Sequence, residues 1–331
     1  MTFIRSGIAA LAVMAVTGTA AWAEPITIKF AHIVPASGHP KGEAVEYFKQ
    51  LVAERMGDKV VIEVYPGGSL YGDDKVLEAM QLGDVQMAAP SIAKFERFTK
   101  AFQVFDLPFL FKDSAQAVAF ETGPFGQAML SEMEKAGFVG LDYWSLGMKQ
   151  FSANKPLLTP ADAEGLKFRI QPAQIIEDQM HALGANPQVL AYAEAYNALQ
   201  SGVVDGAENP WANIWSAKFF EVQDGITETN HGAMGYVVVT SSEFWEGLPE
   251  DVRTELRGIL DEVTARERQM ADAMNETARQ QIIDAGGTVR TLTDEQRQMW
   301  VDAMAPVWDK YRDIIGADVI EAAQTAGSAT N

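Results

Sequence analysis

The sequence predicts an α/β protein built as two lobes. Three observations carry this. Strand-like and helix-like segments alternate along the chain, the pattern that builds parallel sheets flanked by helices. About 308 of the 331 residues remain once an N-terminal segment is set aside, enough for two cores of ordinary domain size. From just after Pro249 to Ala285 the chain holds almost no helix breaker, Gly258 being the one weak exception. At 1.5 Å per residue that run makes a helix of roughly 50 Å, longer than one small lobe is wide.

The first 23 residues carry one positive charge, Arg5, then an apolar run from Ile8 to Val16 and the small-x-small ending Ala21-Trp22-Ala23. These are the three parts of an export signal, so Glu24 is expected to open the mature chain. The apolar run falls short of the about 20 residues a membrane span requires. With no cysteine, disulfides and thiolate metal sites are excluded; an exported chain of this kind suits a bacterial periplasm. The 45 acidic residues against 26 basic ones give a formal charge of −19, or −20 without Arg5. Nucleic acid and anionic membrane surfaces are therefore poor partners. A small acid is repelled only at long range, because charges beyond about 8 Å are screened at physiological salt. Each hydrogen bond to a charged group contributes about 1.5–3 kcal/mol, so a few cations in a pocket can outweigh the exterior.

The elements follow in order. ITIKFAHIV (26–34) reads as a strand, Lys41 to Met56 as an amphipathic helix with Val45, Phe48, Leu51, Val52 and Met56 on one face, and KVVIEVYP (59–66) as a second strand. That β-α-β unit implies parallel pairing. YGDDKVLEAMQLG reads as an acidic first turn and a short helix stopped at Gly83, with DVQMAAP as the next strand. FVGLDYWS (138–145) and GLKFRIQ (165–171) are strands, with Thr159 and Pro160 placed to start a helix between them. AQIIEDQMHALG is a helix ending at Gly184, PQVLAY a strand, AEAYNALQSG a helix, and VVDGAEN and ITETNH short strands. The C-terminal run reads as two helices broken near Pro306, packed through Trp300, Met304, Trp308 and Ile314. In such an alternation ligands sit at the C-terminal ends of strands.

The common catalytic signatures are missing: no G-x-S-x-G, no Walker A loop, no H-E-x-x-H and no G-x-G-x-x-G. His32, His39, His181 and His231 show no metal-ligand spacing. Asp73-Asp74 suits a helix N-terminus, where the macrodipole favours carboxylates. What stands out is a set of cationic and amide groups beside apolar strands: Lys94, Lys149, Arg169 and Asn209. Singly each has a plain reading, since a lysine after a strand is usually solvated and Arg169 alternates onto the polar face. Asn209 before Pro210 can shape a turn, and Tyr192 and Trp211 can be core or rim aromatics. The residues by themselves lead to a two-lobed exported α/β protein able to bind an anion.

Taken together, EVYPGGSLYGDDKVLEAMQLGDVQM, FQVFDLPFLFKD, GLKFRIQ, LGANPQVLAYAEAYNALQSGVVDGAENP and NHGAMGY closely resemble the DctP-type substrate-binding proteins of tripartite ATP-independent periplasmic (TRAP) transporters, over about Ile26 to Ile320. The resemblance implies a two-lobed, periplasmic-binding-protein-like α/β fold with a ligand cleft between lobes and a long helix spanning both. The expected division is 24–147 plus about 236–270 for one lobe, and about 148–235 plus about 271–331 for the other with the C-terminal helices. It implies that Arg169 pairs with a ligand carboxylate through a fork of two N–H···O bonds, that Asn209 binds the same carboxylate, and that Tyr192 packs on the ligand. Lys149 stands where many relatives carry a second arginine, and Ser91 and Lys94 fill a region that varies with ligand class. Trp211 and His231 complete the expected ligand-binding set.

The implied ligand is a C4-dicarboxylate (succinate, malate or fumarate), with a uronate, another sugar acid or a 2-oxo acid as the alternative. No metal and no cofactor are expected. The expected partners are the small and large membrane subunits, with the chain a monomer. From a different class, a secreted hydrolase or lyase acting on acidic substrates is the competing reading; it predicts turnover and a pH–rate profile from a carboxylate or histidine.

Overall fold

The computed structural model describes residues 24–328; the expected export segment, 1–23, lies outside them. In chain order the strands are β1 Ile26–Ala31, β2 Val60–Tyr65, β3 Met87–Ala88, β4 Phe138–Met148, β5 Gln150–Ala153, β6 Lys167–Ile170, β7 Asn186–Val189, β8 Gly206–Asn209, β9 Gly225–Glu228, β10 Ala233–Ser241 and β11 Val289–Thr291. The α-helices are α1 Pro40–Met56, α2 Val76–Gln81, α3 Ser114–Thr122, α4 Pro124–Glu132, α5 Gln174–Ala182, α6 Tyr192–Gln200, α7 Trp211–Ser216, α8 Ser242–Gly247, α9 Glu250–Asp284, α10 Asp294–Ile315 and α11 Ala317–Thr325.

The strands form two sheets, β2-β1-β3-β10-β4 and β11-β9-β5-β8-β6-β7. β1 and β2 pair in parallel from Ile26↔Val60 to Ala31↔Tyr65, with α1 as the crossover that the β-α-β pattern requires. The chain passes between sheets three times, once from β10 through α8 and α9 to β11 and twice at neighbouring places: β4 runs into β5 across Lys149, and β9 into β10 across residues 229–232. Lys149 N donates to Gly232 O at 2.7 Å, so the two crossings are tied together. Each sheet with its helices is one lobe.

α9 is unbroken over 35 residues, about 52 Å. Val252, Leu256, Ile259, Leu260 and Val263 near its start join Phe48 of α1 and Trp144 of β4 in the core of the first lobe. Ala278 and Ile282 near its end join Ile214 and Ile226 in the core of the second. One helix therefore braces both lobes, and Gly258 does not interrupt it.

Three sequence expectations are corrected. β1 stops at Ala31, and His32 to Val34 form a loop that reaches the cleft. The C-terminal helix does not break at Pro306; α10 runs through it and ends before Gly316, whose φ of 104° suits glycine. Pro306 is exposed, so the carbonyl it cannot pair with can meet water. The buried stripe Trp300, Met304, Val307, Tyr311 and Ile315 continues across it. Ile314, expected in that stripe, is 44% exposed because Ile315 takes the core position one residue on. Alternation also fails to detect β10. Its YVVV run is buried throughout, the habit of a strand covered on both faces, which carries no period-two signal.

Candidate functional site

A cavity of about 180 Å³ lies between the lobes, well beyond the about 10–15 Å³ that houses one water. The first lobe supplies Ile33 and Val34 from the loop after β1, Gly67 and Gly68 after β2, Asp73 before α2, and Lys94. The second supplies Arg169, Gln171, Tyr192 and Asn213, and β10 adds Met234 and Tyr236. The loops after β1 and β2 and the residues at the ends of β6 and before α6 place this cavity at strand C-termini, as the α/β alternation predicts.

Arg169 is 3% exposed, although its place on the polar face of GLKFRIQ made exposure the default. It pairs in register with Gln188 of β7 and Ala207 of β8, so the interior of the second sheet encloses its stem. Its Nε donates to Leu190 O at 3.0 Å, which fixes the guanidinium plane. Among the described residues its two terminal nitrogens have no hydrogen-bond partner. Its Cζ lies 5.9 Å from the centroid of the Tyr192 ring, within cation–π range. Burial pulls its pKa below the usual arginine value, only partly offset by Glu208, Tyr192 and Asp73.

Lys94 is half-buried at the end of the short 3-10 helix Ile92–Phe95. Burial lowers its pKa, Asp73 opposes that shift, and Arg169 adds to it. The two cations therefore repel one another across the cavity, and an anion between them would relieve both. Asp73 is their shared counter-charge; its Oδ2 accepts from Ser91 N at 3.2 Å. Behind the cavity, the fully buried Lys41 donates to Ala89 O at 3.0 Å and stands 3.6 Å from the Tyr236 ring centroid. Burial lowers its pKa to about 8, with Asp73 raising it in part. Lys94 and Lys41 thus share one buried carboxylate, Asp73, which acts on Arg169 after Glu208, while Asp74 is exposed at the rim.

The structure brings Arg169, Lys94 and Tyr192 together in the cavity and does not bring all the expected residues there. Ser91 contributes its backbone N–H to Asp73 rather than a cavity-lining side chain. Asn209 is 2% exposed and does not itself line the cavity, although it stands two residues beyond Ala207, the register partner of Arg169; its Oδ1 accepts from Asn213 Nδ2 at 3.0 Å, and its own Nδ2 is buried without a partner. Trp211 is buried in α7 and packs within the second-lobe core.

Lys149 and His231 lie elsewhere. Lys149 Nζ is 2.7 Å from Asp106 Oδ1 and 3.2 Å from Glu208, all nearly sealed from solvent. His231 Nε2 meets Glu208 Oε2 at 3.0 Å and its Nδ1 meets Thr229 Oγ1 at 2.7 Å. Burial lowers the His231 pKa despite Glu208, so the neutral ring donates through Nε2 and accepts at Nδ1. For Glu208, burial pushes upward, but Lys149 and the His231 bond override it and hold the carboxylate at about 2. Two carboxylates satisfy Lys149 at the strand crossings, which is why it does not face the cavity.

Sequence reasoning left out Asp73, Gln171, Asn213 and Tyr236 as cavity residues, and Lys41 behind them. Gln171 was within reach of it, being two residues from Arg169 on the same strand face. Lys41 carries no local signal, because its partner lies 48 positions away; Asn213 has a neighbour in Asn209 four positions back, but its contact with His39 spans 174 positions.

The profile described as bacterial extracellular solute-binding protein, family 7, matches residues 30–313. The C4-dicarboxylate-binding periplasmic protein DctP of Vibrio cholerae is 51% identical over 321 residues, 96% of this chain and 97% of that one. A TRAP periplasmic solute-binding protein of Shewanella oneidensis, solved with bound succinate, superposes with a TM-score of 0.90 at 46% identity, covering 91% of this chain and 99% of that one. One of Pseudomonas aeruginosa, solved with bound L-malate, gives 0.84 at 45% identity over 87% and 100%.

Proposed function

We propose that this chain, which belongs to the bacterial extracellular solute-binding proteins of family 7, captures a C4-dicarboxylate in the interlobe cavity and hands it to TRAP membrane subunits. The family is one of solute-binding proteins rather than enzymes. The chain acts in the periplasm, and among the described residues no helix is long and apolar enough to cross a membrane.

The observation that carries the ligand class is the buried Arg169 with two unpaired terminal nitrogens opposite a second cation, Lys94. A fork of two parallel N–H···O bonds suits one carboxylate. Lys94 suits the other as a point charge. Tyr192 covers the carbon chain, and the amide of Asn209 supplies a further donor to the carboxylate held by Arg169. Closure about the crossings at Lys149 and 229–232 would enclose the acid, and differential affinity for the closed form would drive the motion. A uronate or other sugar acid carries one carboxylate and many hydroxyls, which leaves the second cation unmatched. A 2-oxo acid with a single carboxylate leaves it unmatched as well.

The test is calorimetric titration of the purified chain with succinate, malate, fumarate, galacturonate and pyruvate. One saturable site with a diacid bound tightest is expected, with the ligand recovered unchanged after long incubation. Preference for galacturonate or pyruvate would reverse the assignment, and conversion of the ligand would favour the hydrolase or lyase reading.

A further inference from the structure

His39 and Asn213 come from opposite lobes, yet His39 Nε2 lies 2.9 Å from Asn213 Oδ1 in a buried contact. His39 precedes α1, whose core is that of the first lobe. Asn213 lies on α7, whose Ile214 belongs to the core of the second. This contact continues into the Asn213–Asn209 bond already described, and the direction of every proton in the chain can be worked out.

The starting point is a backbone group that can only donate. Lys41 N–H gives its hydrogen to His39 Nδ1 at 3.1 Å, so that nitrogen carries no proton. Burial and Lys41 hold the ring neutral, with a pKa of about 3, which puts the single ring proton on Nε2. Nε2 therefore donates, and the atom of Asn213 facing it must be the oxygen. The Asn213 nitrogen is then turned toward Asn209, where only an oxygen can receive it, at 3.0 Å. The Asn209 Nδ2 is left over. It is buried and has no partner, a state that costs stability unless a ligand completes it.

Register indicates where this amide stands. β6 and β8 are parallel, with Arg169 opposite Ala207. Asn209 is two residues beyond Ala207, so it shares the sheet face of Arg169 at the strand ends. We infer that His39 and Asn213 are positioning residues: their hydrogen-bond relay locks the Asn209 amide with its N–H, not its oxygen, toward an anion held by Arg169. This rests on the reading of the cavity as an organic-acid site and adds to it the residues that orient one of its donors.

The experiment is a double-mutant cycle on the purified chain with succinate as the probe, each variant checked by its thermal midpoint. Asn213→Asp keeps the shape and still accepts from His39, but cannot donate to Asn209, which must then turn its oxygen toward the ligand. Asn209→Ala and Asn213→Asp are each expected to weaken succinate about tenfold or more, the loss of one hydrogen bond to a charged group. The double variant is expected to be no more than about twofold weaker than Asn209→Ala, because no amide remains to misdirect. Penalties that multiply in the double variant would assign the effect of Asn213→Asp to its added charge and overturn the inference, as would an unchanged Asn213→Asp. A readout free of any folding defect comes from the wild-type chain. Side-chain amide NMR should show the Asn209 signals shifting and gaining exchange protection on succinate addition, while those of Asn213 stay; the reverse pattern overturns the relay. A wild-type chain that binds no organic acid overturns the functional reading itself, a result distinct from wild-type binding with uncoupled variants.

Discussion

Lys149 Nζ sits 2.7 Å from Asp106 Oδ1, and this pair joins two segments 43 residues apart beside the place where the chain crosses between lobes. Glu208 closes the ammonium on its other side. The charge is thereby neutralised inside the protein rather than presented to a ligand.

Lys149→Met should accordingly act on stability. It leaves Asp106 and Glu208 buried with their shared cation removed, a change that costs about 3–5 kcal/mol for such pairs. Urea unfolding at neutral pH is expected to show a midpoint lowered to match, with an unchanged slope. A variant as stable as the wild type would mean that the two carboxylates find protons or water without cost.

Arg169 separates charge from geometry. Arg169→Ala should weaken succinate on the order of a hundredfold, about 3 kcal/mol. Arg169→Lys keeps the charge but not the planar fork, and should recover only part of that loss, remaining about tenfold or more below wild type. Titration calorimetry on the two variants reads both. Full affinity in the lysine variant would show that a point charge suffices.

Glu121 should make stability fall as pH rises. It is 2% exposed, and burial raises its pKa from 4.5 to about 8, with Arg268 opposing the shift and Asp142 adding to it. Between those two values the folded chain holds a proton that the unfolded chain has released, so stability is greatest below the lower value and declines toward the upper one. Glu121→Gln removes this dependence. At about 1.4 kcal/mol per pKa unit, its advantage over wild type should be a few kcal/mol larger at pH 8 than at pH 5, measured by denaturant unfolding at both. An equal difference at the two pH values would place the Glu121 proton elsewhere.

Gly258 tests the continuity of α9. It is exposed within the helix, and a methyl group added there meets nothing within 4 Å. Gly258→Ala should stabilise the chain by about 0.5–1 kcal/mol through helix propensity alone, with succinate affinity unchanged. Thermal unfolding measures it; destabilisation would argue for a flexible joint at this position.

These residues show what the chain discloses by itself and what folding adds. Periodicity and breakers located the β-α-β opening, the short helices α2, α5 and α6 and the long brace from Glu250 to Asp284, because each depends on neighbours a few positions away. The motif set pointed to Arg169, Lys94 and Tyr192, which do meet in one cavity. Lys149 looked like the same kind of residue, a lysine after an apolar strand, and the tertiary structure gave it a different task. The physical reason is that a cation takes its role from the charges beside it, and here those come from Asp106 and Glu208, far along the chain. The same holds for His39, Asn213 and Asn209. Their types are plain in the sequence, but the direction of their hydrogen bonds is a property of three side chains meeting from two lobes, and only the folded arrangement determines which end of the amide is left free.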